Sequence, residues 1–202
     1  VISYEDQRAQ YYVNAGQVAG ADMARFVGRE STDLGDGFVE QTRGLNYVDV
    51  NGDGALDLFF ASANGSELWL GQLDTSTPPL PTGEITGNGS TVLAAIATLP
   101  STGAAWADMD RDGDLDVYVL LEAPQSDRLL ASNGDLTAFT DITAAAGLHA
   151  GATDTRTASW ADLDGDGLPE LFVGWAGVVT VPGATLGRSA LYLNQGTTPP
   201  TF

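Results

Sequence analysis

Asp108-Met109-Asp110-Arg111-Asp112-Gly113-Asp114-Leu115-Asp116 decides how the rest of the chain is read. Two other versions exist. Upstream stands Asp49-Val50-Asn51-Gly52-Asp53-Gly54-Ala55-Leu56-Asp57, and downstream Asp162-Leu163-Asp164-Gly165-Asp166-Gly167-Leu168-Pro169-Glu170. Each copy carries an oxygen-bearing side chain at positions 1, 3, 5 and 9 and glycine at position 6. Alternate residues of a tight loop aim carboxylates at one point. Glycine at position 6 permits the sharp turn that brings the carbonyl of position 7 inward.

The donor set is all oxygen, which suits a hard cation. Calcium takes about six to eight oxygen ligands at roughly 2.3–2.6 Å and tolerates irregular geometry, whereas magnesium demands a near-octahedral shell and keeps its waters. The spacing therefore predicts three calcium cages. The first uses Asp49, Asn51, Asp53 and Asp57 with the carbonyl of Ala55. The second uses Asp108, Asp110, Asp112 and Asp116 with the carbonyl of Asp114. The third uses Asp162, Asp164, Asp166 and Glu170 with the carbonyl of Leu168. Asn-Gly and Asp-Gly also form plain hairpin turns. Three copies with their acids in register exceed what a turn requires, because clustered carboxylates repel one another unless a cation neutralises them.

The flanks exclude an EF-hand, which needs a glutamate at position 12 and helices on both sides. Position 12 here is Phe60, Val119 and Val173. Leu45 to Val48, Ala104 to Ala107 and Ala158 to Ala161 precede the loops; Leu58 to Ala61, Val117 to Leu120 and Leu171 to Gly174 follow them. Short β-branched and aromatic runs bounded by turns read as strands, so each loop joins two strands.

A second motif runs beside the first. Tyr11-Tyr12-Val13-Asn14-Ala15-Gly16 resembles Leu191-Tyr192-Leu193-Asn194-Gln195-Gly196, with looser copies at Leu68 to Leu73 and Leu129 to Gly134. Its copies lie 57, 61 and 62 residues apart, and the cages 59 and 54. Two motifs marching at one period mean a repeat architecture. Phe139-Thr140-Asp141-Ile142-Thr143 supplies a further strand, a role expected of 91–99 and 24–28 in the earlier units. Each unit then reads strand, calcium loop, strand, strand, strand, a four-stranded antiparallel blade. The expected division is a partial blade over 1–44 and cage-bearing blades over 45–103, 104–148 and 149–202, the last without its fourth strand. The Thr-, Pro- and Gly-rich stretch 74–90 and the stretch 178–188 read as surface loop insertions. An unpaired edge would accept a strand from another chain.

Composition narrows the function. The 202 residues carry 27 acids against 8 bases, all arginine, for a net charge of −19. No basic patch exists to meet nucleic acid or an anionic membrane. No cysteine is present, so cross-bracing must come from metal or packing. No run approaches the ~20 apolar residues of a membrane helix. Without a Met at position 1, the chain reads as a processed product or a fragment. Enzyme readings find little footing. His149 is the single histidine; the absence of lysine excludes a P-loop and a Schiff-base lysine; no Gly-x-Ser-x-Gly elbow occurs.

The cage, the aromatic two residues before its first Asp (Tyr47, Trp106, Trp160), the Leu-Tyr-Leu-Asn-Gln-Gly segment and the Phe-Thr-Asp-Ile-Thr segment together resemble the FG-GAP/VCBS repeat family. That resemblance implies all-β blades of an integrin-α-like β-propeller, with calcium between the first two strands. Family members include adhesion receptors, secreted bacterial surface proteins and modules attached to enzymes. Closed propellers use about four to eight blades, so about three units imply an arc that is incomplete or completed in trans. The expectation is a non-enzymatic, calcium-stabilised interaction or adhesion module, secreted or at the cell surface, with a protein or glycan ligand. The alternatives are a subunit of an extracellular filament or surface layer built from further copies of itself, and an accessory module of a larger secreted enzyme.

Overall fold

The computed structural model describes residues 4–5, 8–17, 24–30, 42–73, 81–86, 98–134, 139–148, 154–176, 179–181, 184–186 and 189–202. Among these the regular structure is entirely β, in antiparallel sheets. No helix there is long and apolar enough to cross a membrane. The first sheet contains β1 (Tyr4–Glu5), β2 (Arg8–Gln17) and β3 (Ala24–Glu30) in that order. The second is β4 (Thr42–Val48), β5 (Asp57–Ser62), β6 (Gly65–Leu73) and β7 (Pro81–Thr86). The third is β8 (Ser101–Ala107), β9 (Asp116–Leu121), β10 (Arg128–Ser132) and β11 (Phe139–Asp141). The fourth joins β12 (Thr155–Ala161), β13 (Glu170–Trp175) and β16 (Ser189–Tyr192), while β14 (Val179–Val181) and β15 (Ala184–Leu186) form a separate hairpin.

The second strands explain why the sheets stack. In β5 and β9 every residue is buried. A strand buried on both faces loses its polar alternation because each face meets apolar neighbours. Phe59, Ala61 and Leu68 leave one face of the second sheet and pack on Val117, Val119, Leu121 and Leu130 of the third. Phe59 meets Trp106 edge-on, with centroids 5.6 Å apart and planes at 75°. The opposite face of the third sheet, with Tyr118, Leu120 and Leu129, packs on Leu171, Val173 and Trp175 of the fourth. Each fully buried side chain of this size contributes about 1.5–3 kcal/mol.

Polar links cross the same seams. The Trp160 indole N–H donates to the Ala105 carbonyl at 3.1 Å, tying β12 to β8. Buried Asp127 accepts from the Tyr118 hydroxyl at 3.0 Å, the Leu121 N–H at 2.9 Å and the Thr155 hydroxyl at 2.5 Å. Burial first, then the Asp127 charge, pushes the Tyr118 phenol up, so it stays a donor.

Two segments differ from the sequence reading. The fourth strand of the second sheet is β7, at 81–86, inside the stretch read as a loop insertion; Pro81 opens this edge strand, where no ladder N–H is required of it. Of the alternative, 91–99, residues 91–97 lie outside the described residues and 98–99 form a turn. The second supposed insertion contains the β14–β15 hairpin. At the C-terminal end the Phe202 N–H donates to Ala146 O at 3.0 Å and its ring packs on Trp160 of β12, with centroids 5.8 Å apart.

Asp127→Ala would leave two hydroxyls and one N–H without their buried acceptor. It should lower unfolding free energy by about 3 kcal/mol in urea denaturation, against about 0.5 kcal/mol or less for Asp154→Ala on the surface.

Candidate metal centre

The three acidic loops occupy one place in the fold. Each leaves the end of a sheet's first strand and enters its second, where the ladder pairs Val48 with Asp57, Ala107 with Asp116 and Ala161 with Glu170. Position 9 therefore sits opposite the residue just before position 1, and the intervening residues must turn sharply.

Backbone N–H groups hold the acids in place. The position-1 carboxylate accepts twice: Asp49 from Asp53 N and Gly54 N at 3.1 and 2.9 Å, Asp108 from Asp112 N and Gly113 N at 3.2 and 3.1 Å, Asp162 from Gly165 N and Gly167 N at 2.7 and 2.9 Å. Position 3 accepts from the N–H of position 5 through Asn51, Asp110 and Asp164. Position 5 accepts from position 7 through Asp53, Asp112 and Asp166. These side-chain-to-backbone turns are local and shape the loop by themselves. An ionised carboxylate has about four lone-pair sites, so each retains acceptor capacity for a cation.

Position 9 does something the sequence reading missed. Asp57 Oδ2 accepts from Val50 N at 2.8 Å and Oδ1 from Gly71 N at 2.8 Å. Asp116 repeats this with Met109 N at 3.0 Å and Ser132 N at 2.9 Å. Glu170 accepts from Leu163 N at 2.7 Å. In the first two loops this buried acid thus clamps the loop's second residue to the third strand of the sheet. The signal was present in sequence as the coincidence of the two repeats: Gly71 and Ser132 close the Leu-x-x motif one period apart.

The donor set fits a divalent cation. Oxygens of Asp108, Asp110 and Asp116 converge within 4.8 Å of one another, and so do those of Asp162, Asp164 and Asp166. Asp112 and Glu170 are not in those two groups. In the first loop the Asn51 amide donates to Asp53 at 3.1 Å. Of the expected carbonyl donors, Ala55 is buried and Asp114 and Leu168 are half-buried. Arg43, Arg128 and Arg156 pair with Glu122, Asp141 and Asp154, not with cage carboxylates. Burial, and after it mainly the Asp112 charge, pushes the Asp110 carboxyl up. Burial likewise raises Asp57, and it raises Asp116 to about 7 against the pull of its two N–H donors.

Arg111 is a second residue that sequence reasoning passed over. It stands at position 4 with φ 63°, where the other loops have Gly52 and Gly165. Its guanidinium reaches the third loop, donating to Gly167 O at 2.9 Å and to Asp166 O. The Asn194 amide adds a bond to Met109 O at 2.8 Å and a longer one to Pro169 O at 3.4 Å. The second and third loops are thus joined side chain to backbone. The lone departure from glycine at position 4 was the available signal.

Compared with known proteins, the chain matches FG-GAP-like repeat twice, over residues 49–119 and 108–173. The two matches overlap and together cover well over half of the chain, including all three loops. No curated protein matches it.

A carboxyl whose folded value lies above its unfolded 3.8 holds more protons folded than unfolded between the two values. The stability contributed by neutral Asp116 is therefore full below 3.8 and lost as pH rises through about 7. In EDTA the melting temperature should fall over that window, and Asp116→Asn, which cannot titrate, should flatten the fall.

Proposed function

The chain belongs to the FG-GAP-like repeat family, and on that premise we propose that it is a non-enzymatic, calcium-binding β-repeat module that acts outside the cell in interaction or adhesion. The observation that carries this reading is the same hydrogen-bonded acidic loop built three times, with carboxylate oxygens gathered within 4.8 Å in two of them. Side chains at positions 1, 3, 5 and 9 and the carbonyls of Ala55, Asp114 and Leu168 are the proposed ligands. Bound calcium would neutralise the clustered carboxylates and brace each loop. The sheets are then propeller-type blades, and the division at 45, 104 and 149 follows their cages. FG-GAP repeats typically occur in extracellular proteins, and extracellular calcium suffices for weak sites of about 10⁻⁴–10⁻³ M. A filled oxygen cage leaves no open position for chemistry, which supports a binding role over an enzymatic one. His149 lies outside the described residues.

One observation favours assembly as a second reading. Leu163, Phe172 and Leu191 on the fourth sheet and its loop are 61, 39 and 49 % exposed. Their counterparts Val50, Phe59 and Leu68, and Met109, Tyr118 and Leu129, are all 6 % exposed or less because the next sheet covers them. Phe172 and Leu191 are register partners, so the apolar face is continuous. A further blade face, from this protein or another copy, would bury it.

Two measurements decide between outcomes. Calorimetric titration should find about three calcium equivalents. Asp112→Ala should remove one and lower the calcium-saturated melting temperature by roughly 3 °C or more, while Asp154→Ala leaves both unchanged; equal losses would refute the cage assignment. Sedimentation velocity in calcium should show self-association that Phe172→Glu abolishes, if copies of this chain cover the open face. A monomer at high concentration removes the assembly reading and leaves the calcium reading intact.

A further inference from the structure

The second and third acidic loops meet through a side chain that the other copies lack. Position 4 is glycine in the first and third loops, and at Gly52 a Cβ would enter open space. Arg111 takes that position in the second loop at φ 63°, a left-handed conformation that a side chain disfavours. The strained residue reaches out of its own loop. Its guanidinium donates through Nε to Gly167 O at 2.9 Å and through a terminal nitrogen to Asp166 O.

The receiving loop is shaped for this contact. Gly167 has φ 87°, and a Cβ there would overlap the guanidinium, so glycine at position 6 serves both the turn and the approach of Arg111. Asp166 presents its carbonyl to Arg111, while its carboxylate stands within 4.8 Å of those of Asp162 and Asp164. A second strut runs beside the first. The Asn194 side-chain oxygen accepts from Gly196 N at 3.1 Å, which turns the amide nitrogen toward Met109 O at 2.8 Å and Pro169 O at 3.4 Å, one in each loop. Met109 is itself held, fully buried and with its N–H on Asp116. Arg111 and Asn194 share the walls of a cleft of about 190 Å³ with Asp110 and Leu168, a proposed ligand residue from each loop. By contrast, among the described residues the first loop's side-chain bonds stay inside it or reach Gly71 of its own sheet.

These contacts give two loops one ordering step. Arg111 lies between Asp110 and Asp112, both proposed ligands, so filling the second loop would fix the backbone from which the guanidinium leaves. The guanidinium in turn holds the carbonyls of Asp166 and Gly167, just before the proposed carbonyl donor Leu168. Freedom already lost when one loop fills is not lost again when the other fills, which is positive coupling and acts equally in both directions. The positive charge of Arg111 also repels a cation nearby. That repulsion shifts each loop's own affinity whether or not its neighbour is filled, so it is separable from coupling.

We propose that the second and third loops bind calcium as a cooperative pair, with Arg111 and Asn194 as its positioning residues, while the first loop binds independently. The proposal rests on the calcium reading given above. The test is calorimetric calcium titration of the full chain with the first loop silenced by Asp53→Ala. Adding Asp112→Ala leaves the third loop alone, and adding Asp166→Ala leaves the second alone while keeping the carbonyl that Arg111 meets. Each isolated loop should bind at least about fivefold more weakly than beside a filled neighbour, by the same factor in both directions. Arg111→Gly, which restores the residue found at position 4 of the other loops, combined with Asn194→Ala should bring that factor below about twofold with both sites still titrating. Independent sites, negative coupling, or a factor that survives both substitutions would overturn the proposal and leave the calcium reading intact. Absence of calcium uptake by the unaltered chain would remove the calcium reading and the cooperative pair with it.

Discussion

The buried acid at position 9 is the constraint on which the repeat depends. Asp57 and Asp116 each start a second strand, hold the amide of the loop's second residue and hold an amide of the third strand. A carboxylate buried this completely is costly unless its oxygens are satisfied. Two backbone donors meet part of that need, and the clustered acids around it leave room for a cation to meet the rest. Loop shape and sheet pairing therefore meet in one side chain in each of the first two repeats.

Around that point the sheets behave as a row. The third sheet offers one apolar face to the sheet before and the other to the sheet after. Phe59 and Tyr118 point forward, whereas Val117, Val119, Leu171 and Val173 point back. Stability in such an arrangement comes from nearest neighbours. Asp127, Trp160, Arg111 and Asn194 add directional links across the seam between the third and fourth sheets, which apolar packing alone would not specify. The seam carries both the apolar contact and the coupling between loops.

The two ends of the row differ in chemistry. At one end short acidic loops turn between the first and second strands, and their carboxylates face one another. At the other, bulges in the first strands turn two arginines and a threonine toward a shared cleft.

Much of this was legible in sequence because local chemistry is periodic there. Asp-x-Asx-x-Asp-Gly with an acid at position 9 dictates a turn whatever surrounds it, and the flanking Leu-Phe-Phe, Val-Tyr-Val and Leu-Phe-Val runs dictate strands. The matching periods of two motifs implied repeated antiparallel sheets, and the observed sheets are antiparallel with three or four strands. Tertiary structure alone decided the rest. The fourth strand of the second sheet fell at 81–86, because edge pairing depends on which segment reaches the free side of β6, not on propensity. Gly71 and Ser132 became partners of buried acids, Arg111 crossed to a neighbouring loop, and three bulges opened onto one cleft. The three hydrogen-bonded meetings join residues 14 to 56 positions apart and the bulges lie farther apart still, and no local pattern encodes such a meeting.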